Sequence, residues 1–221
     1  VNFQQTTIIL ALIGPEGVGK SSHARALAAA LRQRGVPATS FHHLPPPPPL
    51  CDDPFARALW YWTQRTKVGL DAQRHPPRVI IVDRWSESTL AFARVQPADV
   101  AARMVDAVEQ ETDAWCVAGF PAVESIHLDA PDAVLDARTL ARGSAASAID
   151  LHPRTAEMRA WYREAAAERW GDRCIDTSGP REEVQRELLA EALGKLSTWY
   201  GWTPLEAPLA LDYDANGSPV P

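Results

Sequence analysis

Two short stretches of this chain combine residue types and spacings that suit phosphate chemistry. The first is Gly14-Pro15-Glu16-Gly17-Val18-Gly19-Lys20-Ser21, a G-x-x-x-x-G-K-S pattern. Its small residues let a backbone turn around phosphate oxygens with successive N–H groups pointing inward, and a helix starting at its end adds partial positive charge. Lys20 would reach the β- and γ-phosphates of ATP, and the Ser21 hydroxyl would hold Mg²⁺. Ser22 follows at the helix start and belongs to the same nucleotide-binding set as Gly14, Glu16, Gly17 and Gly19. The second stretch is Arg78 to Arg84 (RVIIVDR), an apolar run ending in a carboxylate. A carboxylate at the C-terminal end of a parallel strand faces the ligand crevice. Asp83 is therefore placed to act on Mg²⁺ or on a transferring phosphoryl group, and Arg84 to neutralise an acceptor phosphate. The chemistry expected is positioning and charge neutralisation, not a covalent intermediate. The Lys20 side chain is expected to face solvent when no ligand is bound.

The elements around these stretches must hold them at one edge of a sheet. Thr6 to Ile13 is a β-branched, apolar run that reads as a buried parallel strand. Residues 20–34 place Ala24, Leu27, Ala28 and Leu31 on one helical face and stop at Gly35. Val36 to Phe41 reads as a weaker strand. Pro45 to Pro49 form an extended loop, because proline lacks the N–H that a helix or central strand needs. Residues 54–74 predict an aromatic-rich helix containing Trp60, Tyr61 and Trp62, at least one of which is expected to line a cleft. Residues 97–112 predict a helix with Val100, Met104, Val105 and Val108 on one face. Val123 to Asp129 is a strand, and Pro131 to Arg142 a helix closing at Gly143. Pro153 to Trp170 predicts a helix, Arg173 to Thr177 a last strand, and Pro180 to Leu196 a last helix with Val184, Leu188, Ala192 and Leu196 on one side. Residues 197–221 show no clear period. Alternating strands and helices argue for a parallel α/β sheet covered on both faces.

The 221 residues, 46% hydrophobic and 23% charged, suffice for one sizeable domain with a buried core. A formal net charge of −6 with no Lys/Arg block argues against a nucleic-acid partner. Cys51, Cys116 and Cys174 are widely spaced and odd in number, as in reduced thiols of a cytoplasmic protein. Ile8 to Ile13 is too short to span a membrane and lacks the basic flank of a signal peptide. The oligomeric state stays open between monomer and homodimer.

These motifs resemble the thymidylate kinase family of nucleoside monophosphate kinases over residues 6 to about 196. Gly14 to Ser21 looks like that family's phosphate loop, including its acidic third residue. Asp83-Arg84-Trp85, followed by Ser88, Ala91 and Phe92, is similar to the family's D-R-[YFH]-x-x-S-x-x-A-[YF]. Leu128-Asp129-Ala130 to Gly143 resembles the strand and helix leading into the lid, and Arg159, Tyr162 and Ile175-Asp176 fall where the family has like residues. The resemblance implies five parallel strands with helices on both faces, a kinase domain over 1–196 with a lid at about 138–154, and a tail of unassigned role over 197–221. It implies that Glu16 approaches the acceptor's sugar hydroxyl and phosphate, with Arg84 and Ser88 beside it. It also implies that Trp60 stacks on the acceptor base.

The chain departs from the family pattern at three places. His42, His43 and the proline run replace an Arg-containing segment that touches the acceptor phosphate. Gln64 stands where an Arg reads the thymine edge, and Arg65 is one residue out of phase on the helix. Ser147 stands where a lid supplies a catalytic Arg, which leaves Arg138, Arg142 and Arg154 as substitutes, Arg142 foremost. The expected function is ATP- and Mg²⁺-dependent transfer to a small-molecule nucleotide acceptor with altered base recognition. A kinase of an unusual or modified nucleoside, a non-catalytic nucleotide-binding module and an unrelated ATPase remain alternatives.

Overall fold

The computed structural model describes residues 7–41, 53–73, 78–118, 121–142, 154–167 and 174–200. His42, His43, the proline run, Gly143 and Ser147 lie outside the described residues. In chain order the elements are β1 (Ile8–Ile13), α1 (Lys20–Gln33), β2 (Ala38–Phe41), α2 (Pro54–Gln73), β3 (Val79–Asp83), α3 (Ser86–Ala93), α4 (Ala98–Ala118), β4 (Ala122–Asp129), α5 (Asp132–Arg142), α6 (Thr155–Ala165), β5 (Ile175–Asp176) and α7 (Arg181–Tyr200). The five strands form one all-parallel sheet in the order β2-β3-β1-β4-β5.

β1 lies at the centre, paired with β3 on one side and β4 on the other. All six of its side chains are fully buried. A strand of continuous apolar residues fits only where both faces of the sheet are covered. Alternation then divides it. Ile8, Leu10 and Leu12 pack with Leu27 and Leu31 of α1, Leu135 of α5, and Val184, Leu188 and Leu196 of α7. Ile9, Ala11 and Ile13 pack with Val68 of α2, Ala91 of α3, Trp115 of α4, and Trp161 and Tyr162 of α6. The sheet is therefore covered by helices on both faces.

The expected faces of α1 and α7 hold. Ala24, Leu27, Ala28 and Leu31 are buried on the first, and Val184, Leu188, Ala192 and Leu196 on the second. Three expectations need correction. Val105 is exposed, because the buried face of α4 runs through Met104, Val108, Glu111 and Trp115, a spacing of three to four residues that leaves 105 out. α3 is an additional helix. Its buried positions include Glu87 and Thr89, so hydrophobic periodicity does not mark it. α7 continues through Tyr200, past the expected boundary at 196.

Candidate functional site

β1, β3 and β4 all deliver their C-terminal ends to the same edge of the sheet, and the glycine-rich loop leaves β1 there. Gly14, Gly17 and Gly19 adopt φ values of 149°, 90° and 85°. At Gly14 a Cβ would fall 2.2 Å from the Leu128 carbonyl oxygen, far inside contact distance, so glycine is required by space as well as by φ. From Gly14 to Val18 the loop is buried. Among the described residues, the N–H groups of Glu16, Gly17, Val18 and Gly19 donate to no backbone carbonyl. Buried N–H groups are nearly always paired. A row of them at a helix N-terminus is a ready set of donors for phosphate oxygens.

Lys20 corrects an expectation. It is 5% exposed, and its Nζ donates to the carbonyls of Gly14 and Pro15 at 2.9 and 2.8 Å. An ammonium cannot stay buried without acceptors, so it folds back onto the loop's own carbonyls instead of facing solvent. The Ser21 hydroxyl donates to Asp83 Oδ2, which ties the start of α1 to the end of β3. The other oxygen of that carboxylate, Oδ1, is buried with no hydrogen-bond partner among the described residues. Mg²⁺ takes only one or two protein oxygens and completes its shell with phosphates and water. A hydroxyl touching a half-unsatisfied carboxylate fits that demand. Among the described residues no group of three or more His, Cys, Asp or Glu side chains is arranged for a metal ion.

Beyond Asp83, Arg84 has φ 77°, the one non-glycine in the left-handed region among the described residues. Such conformations cost about 1–3 kcal/mol and gather at functional sites. Two anchors hold it: its N–H donates to the Leu12 carbonyl at 3.1 Å, and its guanidinium pairs with the Glu16 carboxylate. Trp85 packs edge-on against Trp115 at 5.0 Å and fixes the next residue. Arg142, at the end of α5, reaches within 4.0 Å of the same Glu16 carboxylate.

A cavity of about 20 Å³ beside Glu16 and Arg84 is bounded also by Ser88, Thr155, Arg159 and Tyr162. That volume holds roughly one water, so a larger occupant requires α6 to move outward. A larger cavity of about 890 Å³ opens between α3, α4 and α6, lined by residues such as Leu90, Ala101, Val105 and Glu109. Neither the loop nor Asp83 borders it, so size alone does not identify the site.

The structure thus brings together Gly14, Glu16, Gly17, Gly19, Lys20, Ser21, Asp83, Arg84, Ser88 and Arg142, with the exposed Ser22 on the first turn of α1. Trp60 and Gln64 are half-buried on α2, and the cavity beside Glu16 is lined by other residues. Arg65 points away from Gln64, into a buried ion pair with Glu111 at 2.7 Å. Two of the three substitutes for the lid cation are engaged elsewhere. Arg138 donates to the Gly17 carbonyl and to Thr177, and Arg154 pairs with Glu157 on its own helix. Two further features went unread in the sequence. His23 packs against Gly19, and its Nδ1 meets the Gln185 side chain. Burial, reinforced by Arg181 and Arg138, lowers its pKa to about 4. The Glu87 carboxyl is fully buried and accepts from Ser125 Oγ at 2.5 Å, and burial pushes it above the usual carboxylate range. A lone His and a lone Glu on helices carry no distinctive signal. Among the described residues no helix is long and apolar enough to cross a membrane. Comparison with protein-family models and with curated proteins yields no match to this sequence.

Proposed function

We propose that this chain is a P-loop nucleotide kinase of thymidylate kinase type, transferring the γ-phosphoryl group of ATP to a nucleoside monophosphate or close analogue. The observation that carries the reading is the buried loop whose N–H groups from Glu16 to Gly19 have no backbone acceptor among the described residues, joined through Ser21 to the half-unsatisfied Asp83. Backbone donors would cradle the phosphates, and Lys20 would exchange two neutral carbonyls for a charged phosphate oxygen, a stronger partner. Mg²⁺, held by Ser21 and Asp83, would supply charge neutralisation on the phosphate oxygens. Glu16 and Arg84 hold the acceptor, with Ser88 beside them. Arg142 supplies the cation that stabilises charge on the group in transit, and its 4.0 Å approach to Glu16 supports that choice over Arg138 and Arg154.

The acceptor base is proposed to differ from thymine. Arg65 is committed to Glu111, so Gln64 is the polar residue left to read a base stacked on Trp60. An amide both donates and accepts, whereas Arg only donates. The test is a Mg²⁺-dependent phosphoryl-transfer assay across nucleosides and nucleoside monophosphates. Transfer to at least one monophosphate is expected. Asp83→Asn is expected to cut turnover at least tenfold more than it weakens ATP binding, by order of magnitude. No transfer to any acceptor, with ATP still bound, moves the chain to the non-catalytic class.

A further inference from the structure

The cavity beside Glu16 contains a cation that neither the glycine-rich loop nor β3 supplies. Arg159 of α6 is 6% exposed and shares this cavity with Glu16, Arg84 and Ser88. A guanidinium carries five N–H donors, and burying it demands partners for them. Its terminal nitrogens reach across to α5, one lying 2.7 Å from Asp136 and the other 3.8 Å from Asp132. Its Nε is buried and has no hydrogen-bond partner among the described residues. In the same cavity, Ser88 Oγ is also buried without a partner. Among the described residues, two donors on the walls of one small cavity thus have no hydrogen-bond partner, nor has the acceptor Glu16 Oε1 beside them.

The two cations differ in how exposed their partners are. Arg84 lies against Glu16, a carboxylate with 10% side-chain exposure. Arg159 is held by carboxylates at the surface, with Asp136 68% and Asp132 52% exposed. Asp136 loses little when it turns back to water, and Asp132 keeps its closer partner, Arg163 at 2.8 Å. Arg159 is therefore the cation that an incoming anion can take over at low cost.

We propose that Arg159 binds the anionic group of the phosphoryl acceptor, exchanging its α5 carboxylates for the acceptor's own phosphate. The proposal rests on the nucleotide-kinase reading above and narrows its substrate class to acceptors that are already phosphorylated. Ser88 adds a hydroxyl donor to the same group. Arg159 then supplies the positive charge that residues 42–53, which contain no Lys or Arg, do not offer. The exchange also reports to α5. Asp132 and Asp136 lie on its first half, and Arg142, at its end, stands beside Glu16. Occupying Arg159 releases one of the ties on the helix that carries the proposed transfer cation, while Arg163 keeps Asp132 and Arg138 keeps Gly17 and Thr177.

The experiment is calorimetric titration of the full chain with dTMP, dUMP, dCMP, dGMP and dAMP and with the matching nucleosides. Mg·ATP is titrated separately. The wild-type protein is expected to bind at least one monophosphate more tightly than its nucleoside. Arg159→Ala should weaken that monophosphate about 10- to 100-fold, while leaving the nucleoside and Mg·ATP unchanged. Asp136→Asn leaves the guanidinium in place and removes its competitor, and should tighten the monophosphate about threefold. A purely structural Arg159 would give no such gain, and this arm decides the matter even if Arg159→Ala fails to fold. Unchanged or weaker binding in Asp136→Asn overturns the proposal. So does equal weakening of nucleoside and monophosphate in Arg159→Ala, or a wild-type protein that binds Mg·ATP but no monophosphate better than its nucleoside. In the last of these cases the kinase reading stands with an uncharged acceptor, and in the others with Arg84 rather than Arg159 as the cation for the acceptor phosphate. A wild-type protein that binds no Mg·ATP removes the kinase reading, and the inference with it.

Discussion

The two faces of the sheet bury their polar groups in opposite ways. On the face covered by α1, α5 and α7, apart from Lys20 at the loop, the buried polar side chains His23, Gln185 and Thr177 are neutral, and the core around them is aliphatic. On the face covered by α2, α3, α4 and α6, Arg65, Glu87, Glu111 and Arg159 are buried, among tryptophans. The first face makes a rigid bed for the glycine-rich loop. The second depends on completed pairs, and an incomplete one, such as that of Arg159, has capacity left for a ligand. Rigidity and recognition are therefore divided between the faces.

The strongest way to break this division lies in the loop between them. Lys20→Ala is expected to lower phosphoryl transfer about 10³-fold, because it removes the charge that meets the transferring group. Its two carbonyl contacts are local, so the melting temperature should move by only a few degrees. Near-wild-type turnover would refute the site as drawn.

The next largest effect tests the charged face. Glu111→Leu leaves Arg65 buried and uncompensated and should destabilise the fold by about 3–5 kcal/mol in urea titration. Arg65→Met combined with Glu111→Leu should recover most of that loss, because both charges then leave the interior together. An additive double variant would mean that the pair is not the unit that holds α2 to α4.

On the neutral face the lever is pH. The folded protein holds His23 at a pKa of about 4, against about 6.5 for the unfolded chain. As pH falls below 6.5 the unfolded chain takes up a proton that the folded one refuses. Stability from this group is thus complete above pH 6.5 and lost down to pH 4, on the order of 3 kcal/mol in all. Glu87, whose carboxyl is raised, acts in the opposite sense. The measurement is therefore the difference between wild type and His23→Asn, whose acid limb should be flatter. Equal slopes would show that Gln185 and α7 yield to the charge.

The smallest effect sharpens the acceptor side. Gln64→Arg should shift kcat/KM among the five deoxynucleoside monophosphates toward dTMP by about tenfold. If the wild-type protein already prefers dTMP, Gln64 is not what selects the base.

The loop half of the site was legible in the sequence because its requirements are local. A glycine at a left-handed φ, a lysine and a hydroxyl must stand at fixed offsets, and Asp83 must end an apolar run. The acceptor half was less so. Arg65 and Glu111 are 46 positions apart, and nothing in either neighbourhood announces the other. Arg159 was recognisable by resemblance, but its two aspartate partners were not. α3 escaped because it exchanges hydrophobic periodicity for buried Glu87 and Thr89. Lys20 was expected in solvent because the loop's own carbonyls were not counted as acceptors.

The central position of β1 has a consequence during synthesis. Ile8 pairs with Val79 on one side and Ala122 on the other. At 5–20 residues per second, roughly 4–14 s separate the emergence of this wholly apolar strand from that of its first neighbour. During that interval six residues destined for complete burial have no sheet to join. The strand that anchors the finished site is thus also a segment of the nascent chain that waits, apolar and unpaired, for partners made later.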